Sequence, residues 1–182
     1  MNHLHNMNAR TAEAEKHDFY ATDPRAVELL LNVESFNKMI LEPACGAGHI
    51  SKALEANHYS VISTDLYDRG YGTSGVDFLK WNEKFPGDII TNPPYRHARQ
   101  FVEKALDVVD VGAKVAMFLK LTFLEGQARK EFFKTNPPRT IYVSSKRLQC
   151  AKNADFSGTS MIAYAWFVWE KGYTGATIIK WI

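Results

Sequence analysis

The chain has 182 residues, 46% hydrophobic and 23% charged, which is one domain and enough to bury a core without disulfides or metals. It contains no apolar run of about 18 residues, so nothing in it reads as a membrane-spanning helix. The net charge of +2 hides an asymmetry: residues 96–152 hold 12 Lys/Arg against 5 Asp/Glu, and the rest hold 10 against 15. Such a basic segment suits a polyanion-facing surface, or equally a pair of amphipathic helices with solvated cations.

In chain order, Met1–Asp18 is polar and lacks the apolar stretch of a secretion signal. It is expected to be a tail, with residues 19–182 forming a single domain. His3 and His5 in that tail lack further ligands for a metal and read as solvated. Two cysteines far apart in sequence, Cys45 and Cys150, suggest a reducing cytoplasm rather than a disulfide framework.

Asp23-Pro24 reads as an N-cap and first helical residue, opening a helix through Leu31. Lys38–Leu41 predicts a strand, Ile50–Asn57 a helix, and Tyr59–Ser63 a second strand. A glycine-rich loop, Gly70–Gly75, leads to Asp77-Phe78-Leu79. Asp88–Thr91 is a buried strand, Ala98–Val109 an amphipathic helix, and Ala113–Leu119 a strand. Phe123–Lys134 predicts a helix and Thr140–Ser144 a strand. Ser145–Ser160 is polar, carries Lys146, Arg147 and Lys152, and reads as a substrate-facing loop. Met161–Trp169 and Ala176–Trp181 are expected to pair with each other across Lys171–Gly175, with Trp166, Phe167, Trp169 and Trp181 in the core. Strands alternating with helices imply an α/β fold: a doubly wound, mostly parallel sheet with an antiparallel C-terminal edge.

Two motifs carry chemistry. Glu42-Pro43-Ala44-Cys45-Gly46-Ala47-Gly48 is a glycine turn between strand and helix, where backbone can approach a ligand closely. Asp65 ends the next strand 23 residues after Glu42, where doubly wound nucleotide binders place an acid on ribose hydroxyls. The turn lacks the three-glycine dinucleotide pattern and the Gly-Lys-Ser/Thr of a P-loop. Glu42, Asp65 and Asp77 all fall at predicted strand ends. Carboxylates there disfavour phosphates and favour a ligand with ammonium, sulfonium and ribose groups, which S-adenosylmethionine combines.

The second motif is Asn92-Pro93-Pro94-Tyr95, straight after a strand. Proline fixes its own φ and pushes the preceding residue to an extended conformation. Asn92 then offers acceptors and Tyr95 an aromatic face, a set suited to a planar group bearing an NH2. Asn136-Pro137-Pro138-Arg139 repeats the first three letters but follows a helix and lacks the tyrosine, so it reads as a helix stop.

On these residues the chain resembles the S-adenosylmethionine-dependent amino-methyltransferases, in particular the small adenine-N6 DNA methyltransferases of phage and prophage type, over most of its length. Phe19–Pro24 resembles that family's N-terminal cofactor motif, Glu42–Gly48 its glycine motif, Asp65 its ribose acid, Asp77-Phe78 its adenine-edge motif, and Asn92–Tyr95 its catalytic motif. The resemblance implies a Rossmann-like fold. It implies S-adenosylmethionine held by Tyr20, Thr22, Glu42, Pro43, Cys45, Gly46, Gly48, Asp65, Leu66, Asp77 and Phe78, with Tyr20 and Thr22 closing over it. It implies a base flipped out of double-stranded DNA and a cytoplasmic location. In this scheme Asn92 and the Pro93 carbonyl accept from the amine, neither cysteine is a nucleophile, and no metal takes part. If the strand order is 3-2-1-4-5, the first and fourth strands are neighbours and the two motifs face one crevice. Only 14 residues separate Asp77 from Asn92, and the chain stops soon after Trp181. No separate target-recognition domain is therefore expected, and Arg96, Arg99, Lys120, Lys146 and Arg147 are the candidate substrate contacts. Adenine-N6 RNA methylation, protein-glutamine methylation and a catalytically silent binding or cofactor-sensing module are the rival readings.

Overall fold

The computed structural model describes residues 20–148, 150–151, 155–157 and 161–182. The tail, Phe19, Lys152 and the end of the Ser145–Ser160 segment lie outside the described residues.

The described chain opens with β1 (Ala21–Thr22) and α1 (Pro24–Leu31). The Asp23 side chain caps α1 by accepting from the Arg25 N–H at 3.0 Å, as the Asp-Pro pair predicts. Ala26, Val27 and Leu30 form its buried face. β2 (Met39–Glu42), α2 (His49–Ala56) and β3 (Ser60–Ser63) follow at the expected places. So do β4 (Asp88–Thr91), α3 (Ala98–Val108) and β5 (Lys114–Lys120). The chain continues with α4 (Gln127–Thr135), β6 (Thr140–Val143), β7 (Cys150–Ala151), β8 (Tyr164–Glu170) and β9 (Ile178–Trp181).

Seven strands form one sheet in the order β3-β2-β4-β5-β8-β6-β9. All are parallel except β8, which runs antiparallel to both β5 and β6. β2 and β4 are neighbours in register Leu41↔Ile89, so the reversal of strand order falls between them. Alternate residues of β5 face opposite layers: Val115, Met117 and Leu119 pack with α3 and Phe132 of α4, while Ala116 and Phe118 pack with α1 and α2. The mostly parallel, two-sided α/β sheet expected from the alternation is what forms.

Three expectations are corrected. Asp77–Leu79 is no strand: the Asp77 carboxylate accepts from the Leu79 N–H at 3.1 Å and closes a 3-10 turn, Phe78–Lys80. A short side-chain bond to local backbone thus wins over a ladder, and the acid lies at a turn start, not a strand end. The helix expected from Phe123 begins only at Gln127, because Leu121–Leu124 is a 3-10 turn and Gly126 has φ 106°. The last two strands do not pair with each other. Both edges of β8 are taken by β5 and β6, so β9 joins β6 in parallel, Thr140↔Ile178 to Val143↔Trp181. Trp166, Phe167 and Trp169 are core residues, whereas Trp181 on edge strand β9 is 72% exposed.

Candidate active site

The turns that leave β2 and β4 open into one cavity of about 370 Å³ at the carboxyl ends of the strands. Its wall includes Glu42, Pro43 and Cys45 from the first turn and Asp65, Leu66, Asp77 and Phe78 from the segment after β3. Asn92, Pro93, Pro94, Tyr95 and Arg96 come from the turn after β4, and Tyr20 and Thr22 from the N-terminal side. The topology therefore brings both sequence motifs to one crevice.

Glu42 is 1% exposed and accepts a hydrogen bond from the Ser51 hydroxyl, which lies 2.6 Å from that of Ser63. Burial pushes the Glu42 carboxyl well above the usual range; Asp65 and Glu55 add to this, and the Ser51 bond opposes it. Asp65 ties the site together. Its Oδ2 accepts from the Gly46 N–H and its Oδ1 from the Tyr67 N–H, both at 2.8 Å. A carboxylate has about four acceptor positions, so two remain for a ligand.

The two glycines of the turn are engaged with the protein itself. Gly46 and Gly48 do not line the cavity. The Gly46 N–H is committed to Asp65. Gly48 has φ 79°, and a Cβ there would stand 2.4 Å from the Tyr71 ring. Tyr71, bonded through its hydroxyl to Glu55 at 2.9 Å, pins the glycine-rich loop against the start of α2. Cys45 is a buried packing residue whose thiol is pushed up to about 12, chiefly by burial. Asp77 pairs with Lys80 at 3.1 Å, and Phe78 packs against Phe101 with ring centres 5.2 Å apart.

Asn92 is the best-defined polar group. Its Nδ2 donates to Thr22 Oγ1 at 2.9 Å, to the Tyr20 carbonyl at 3.4 Å and to Cys150 Sγ at 3.6 Å. A carbonyl can only accept, so the nitrogen must face Tyr20. Asn92 Oδ1 is left buried with no hydrogen-bond partner among the described residues. Pro94, at φ −53° and ψ 122°, holds the extended step into the turn Tyr95–His97. The Tyr95 ring stacks on Tyr20 at 5.9 Å and lies 6.1 Å from Tyr164, with Lys120 Nζ 4.4 Å from its centre. Burial, with Cys150 and Tyr164 alongside, pushes the Tyr95 phenol well above its usual range.

Of the candidate substrate contacts, Arg96 lines the cavity and Lys120 reaches it through Tyr95. Arg99 is engaged with Glu103 at 2.8 Å and Phe132, and Lys146 and Arg147 are exposed outside the cavity wall. Sequence reasoning gave Cys150, Tyr164 and His49 no place in the site. Cys150 arrives because β7 pairs with β1, Thr22↔Cys150, and strands of two residues carry no periodic signal. His49, first residue of α2, lines the cavity beside the glycine turn; burial and the Lys52 charge lower its pKa.

No protein-family model and no curated protein matches the sequence. Solved structures do match. A Listeria monocytogenes protein provisionally assigned as a class I S-adenosylmethionine-dependent methyltransferase superposes with TM-score 0.65 at 13% identity, over 94% of this chain and 68% of that one. The type IIG restriction endonuclease BpuSI matches with TM-score 0.64 at 14% identity, over 94% of this chain and 27% of its own. A Pyrococcus horikoshii protein provisionally assigned as an RNA methyltransferase gives TM-score 0.53 at 14% identity, over 81% and 82%. The chain has the Rossmann-like fold shared with class I S-adenosylmethionine-dependent methyltransferases.

Proposed function

We propose that this protein transfers a methyl group from S-adenosylmethionine to the exocyclic N6 amine of adenine in DNA, in the cytoplasm, on a base flipped out of the duplex. The observation that carries the reading is the state of Asn92. Its NH2 is fully committed, and its oxygen is a buried acceptor with no partner among the described residues. An unsatisfied buried acceptor costs about 1–3 kcal/mol, which a donated N–H relieves, and the amine of adenine is such a donor. The likeness to a restriction endonuclease is compatible with a DNA substrate.

The cavity fits the methyl donor. Glu42, Asp65 and Asp77 line it, an acceptor set for ammonium and ribose hydroxyl groups and a negative one for a sulfonium. When bound, S-adenosylmethionine supplies a methyl group on a positively charged sulfur, so no covalent enzyme intermediate is needed. The protein's share is positioning and electrostatics. Asn92 Oδ1 and the Pro93 carbonyl accept from the amine, which shifts electron density onto a nitrogen otherwise conjugated with the ring. Tyr20 holds the stacking position on Tyr95, and a flipped base takes that place. Stacking of this kind contributes about 1–3 kcal/mol per base, against a flipping cost of a few kcal/mol. Arg96 in the cavity wall and Lys120 beside Tyr95 supply positive charge that supports contact with phosphates of the flanking strand.

DNA from cells expressing the protein, digested and analysed by nucleoside mass spectrometry, is expected to contain N6-methyladenine. Parallel incorporation assays on duplex DNA, RNA and a glutamine-bearing release factor should give signal with DNA. Methyl incorporation into RNA or the release factor alone would contradict the assignment.

A further inference from the structure

β1 and β7 are two residues each and form a small sheet of their own, with both residues of β1 buried and both of β7 half-buried. Their pairing sets Thr22 directly opposite Cys150. Both side chains point at one group, the Asn92 amide nitrogen, at 2.9 Å and 3.6 Å. The Tyr20 carbonyl, just before β1, is its third acceptor. We propose that Thr22 and Cys150 are positioning residues that fix the side-chain amide of Asn92 with its oxygen uncommitted. This rests on the reading of Asn92 as the acceptor for the substrate amine.

The need for such a device follows from the amide itself. Oxygen and nitrogen of an asparagine are nearly equal in size, and rotation by half a turn exchanges them. A rotated Asn92 would set its oxygen against the Tyr20 carbonyl and present an NH2 to the substrate NH2, donor against donor. The Tyr20 carbonyl, which can only accept, selects the nitrogen, and Thr22 Oγ1, at the shortest of the three distances, holds the amide in that place. Cys150 contributes a weak sulfur acceptor; burial pushes its thiol up to about 11, so it stays neutral and takes no nucleophilic part. The resemblance to amino-methyltransferases places Thr22 over the cofactor and gives Cys150 no role; the hydrogen bonds assign both to the acceptor side.

Thr22→Val keeps the shape and removes the acceptor, whereas Thr22→Ser restores it. With duplex DNA as substrate, Thr22→Val should lower kcat on the order of ten- to a hundred-fold, the scale of a misplaced reacting group. The KM and Kd for S-adenosylmethionine should change less than about three-fold. Thr22→Ser should recover most of the lost turnover, and Cys150→Ala should cost less than Thr22→Val. Equal turnover in Thr22→Val, or a Thr22→Ser variant as impaired as it, would overturn the proposal. A second readout is independent of activity. The side-chain NH2 of Asn92, identified in nitrogen–proton spectra by its absence from Asn92→Asp, should exchange with solvent about ten-fold faster in Thr22→Val, the change expected for a locally loosened hydrogen bond. If wild-type protein methylates no nucleic acid, the functional reading fails while exchange still decides the positioning claim. Unchanged exchange in Thr22→Val would refute it.

Discussion

Glu42 and Asp65 sit 23 residues apart and act differently. Asp65 spends one acceptor site on Gly46 and one on Tyr67, so it builds the turn as well as facing the cavity. Glu42 is buried and its carboxyl is biased towards the neutral form. A cationic ligand in the cavity would favour the ionised form, so binding should release a proton. The sign follows from the raised pKa: affinity for S-adenosylmethionine should rise with pH from the usual carboxylate range up to the raised value, then level off. Calorimetry in buffers of different ionisation enthalpy should register the release, and Glu42→Gln should abolish it. A pH-independent Kd with no proton exchange would remove Glu42 from the cofactor site. At this scale the convergence of Glu42, Asp65 and Asn92 on one cavity was legible, because an acid after a strand and Asn-Pro-Pro-Tyr after a strand are local patterns. The partners of Asn92 were not, because Thr22 and Cys150 meet through an antiparallel contact 128 positions apart in sequence.

Among the elements, α1 is tied to the sheet by one buried acid. Glu34 accepts from Lys114 Nζ at 2.7 Å, from Arg139 Nη2 at 2.6 Å and from the Tyr142 hydroxyl at 2.7 Å, joining the end of α1 to β5 and β6. Burial alone would raise its pKa, but the bonds to Lys114 and Tyr142 and the charges of Lys114 and Arg139 outweigh burial and lower it. A lowered folded pKa means stability that is present above the unfolded value and lost as pH falls through the folded one. Glu34→Gln should destabilise the fold at neutral pH. Breaking a fully buried ion pair costs about 3–5 kcal/mol. Lys114 and Arg139 keep 20% and 29% of their side chains in contact with water, so about 2 kcal/mol is expected here. Urea melts at pH 7 and in acid should show the gap between variant and wild type narrowing as pH falls; a gap that widens would reverse the assignment. Element order was legible from alternating apolar runs and loops. The partner of β9 was not, since a turn-like Lys171–Gly175 reads as a hairpin until β8 is seen to be enclosed on both sides. The repeated Asn-Pro-Pro behaves as context required: α4 stops at Thr135 and Asn136 is its C-cap.

For the whole molecule, the sheet order decides which turns meet. β2 and β4 adjoin, so the acid-lined turn and the Asn-Pro-Pro-Tyr turn share one cavity. The basic segment 96–152 begins with Arg96 in the cavity wall, whereas its Arg99, Lys114, Lys134 and Arg139 are paired with acids. In the proposed reaction Asn92 acts on the substrate amine and not on the methyl donor. The most direct test compares wild type and Asn92→Ala for methyl incorporation into duplex DNA, alongside calorimetric titration with S-adenosylmethionine. Transfer should fall to background in Asn92→Ala while the Kd for S-adenosylmethionine stays within about three-fold, the pattern of an interaction made only with the reacting group. Near-normal transfer by Asn92→Ala would contradict the account.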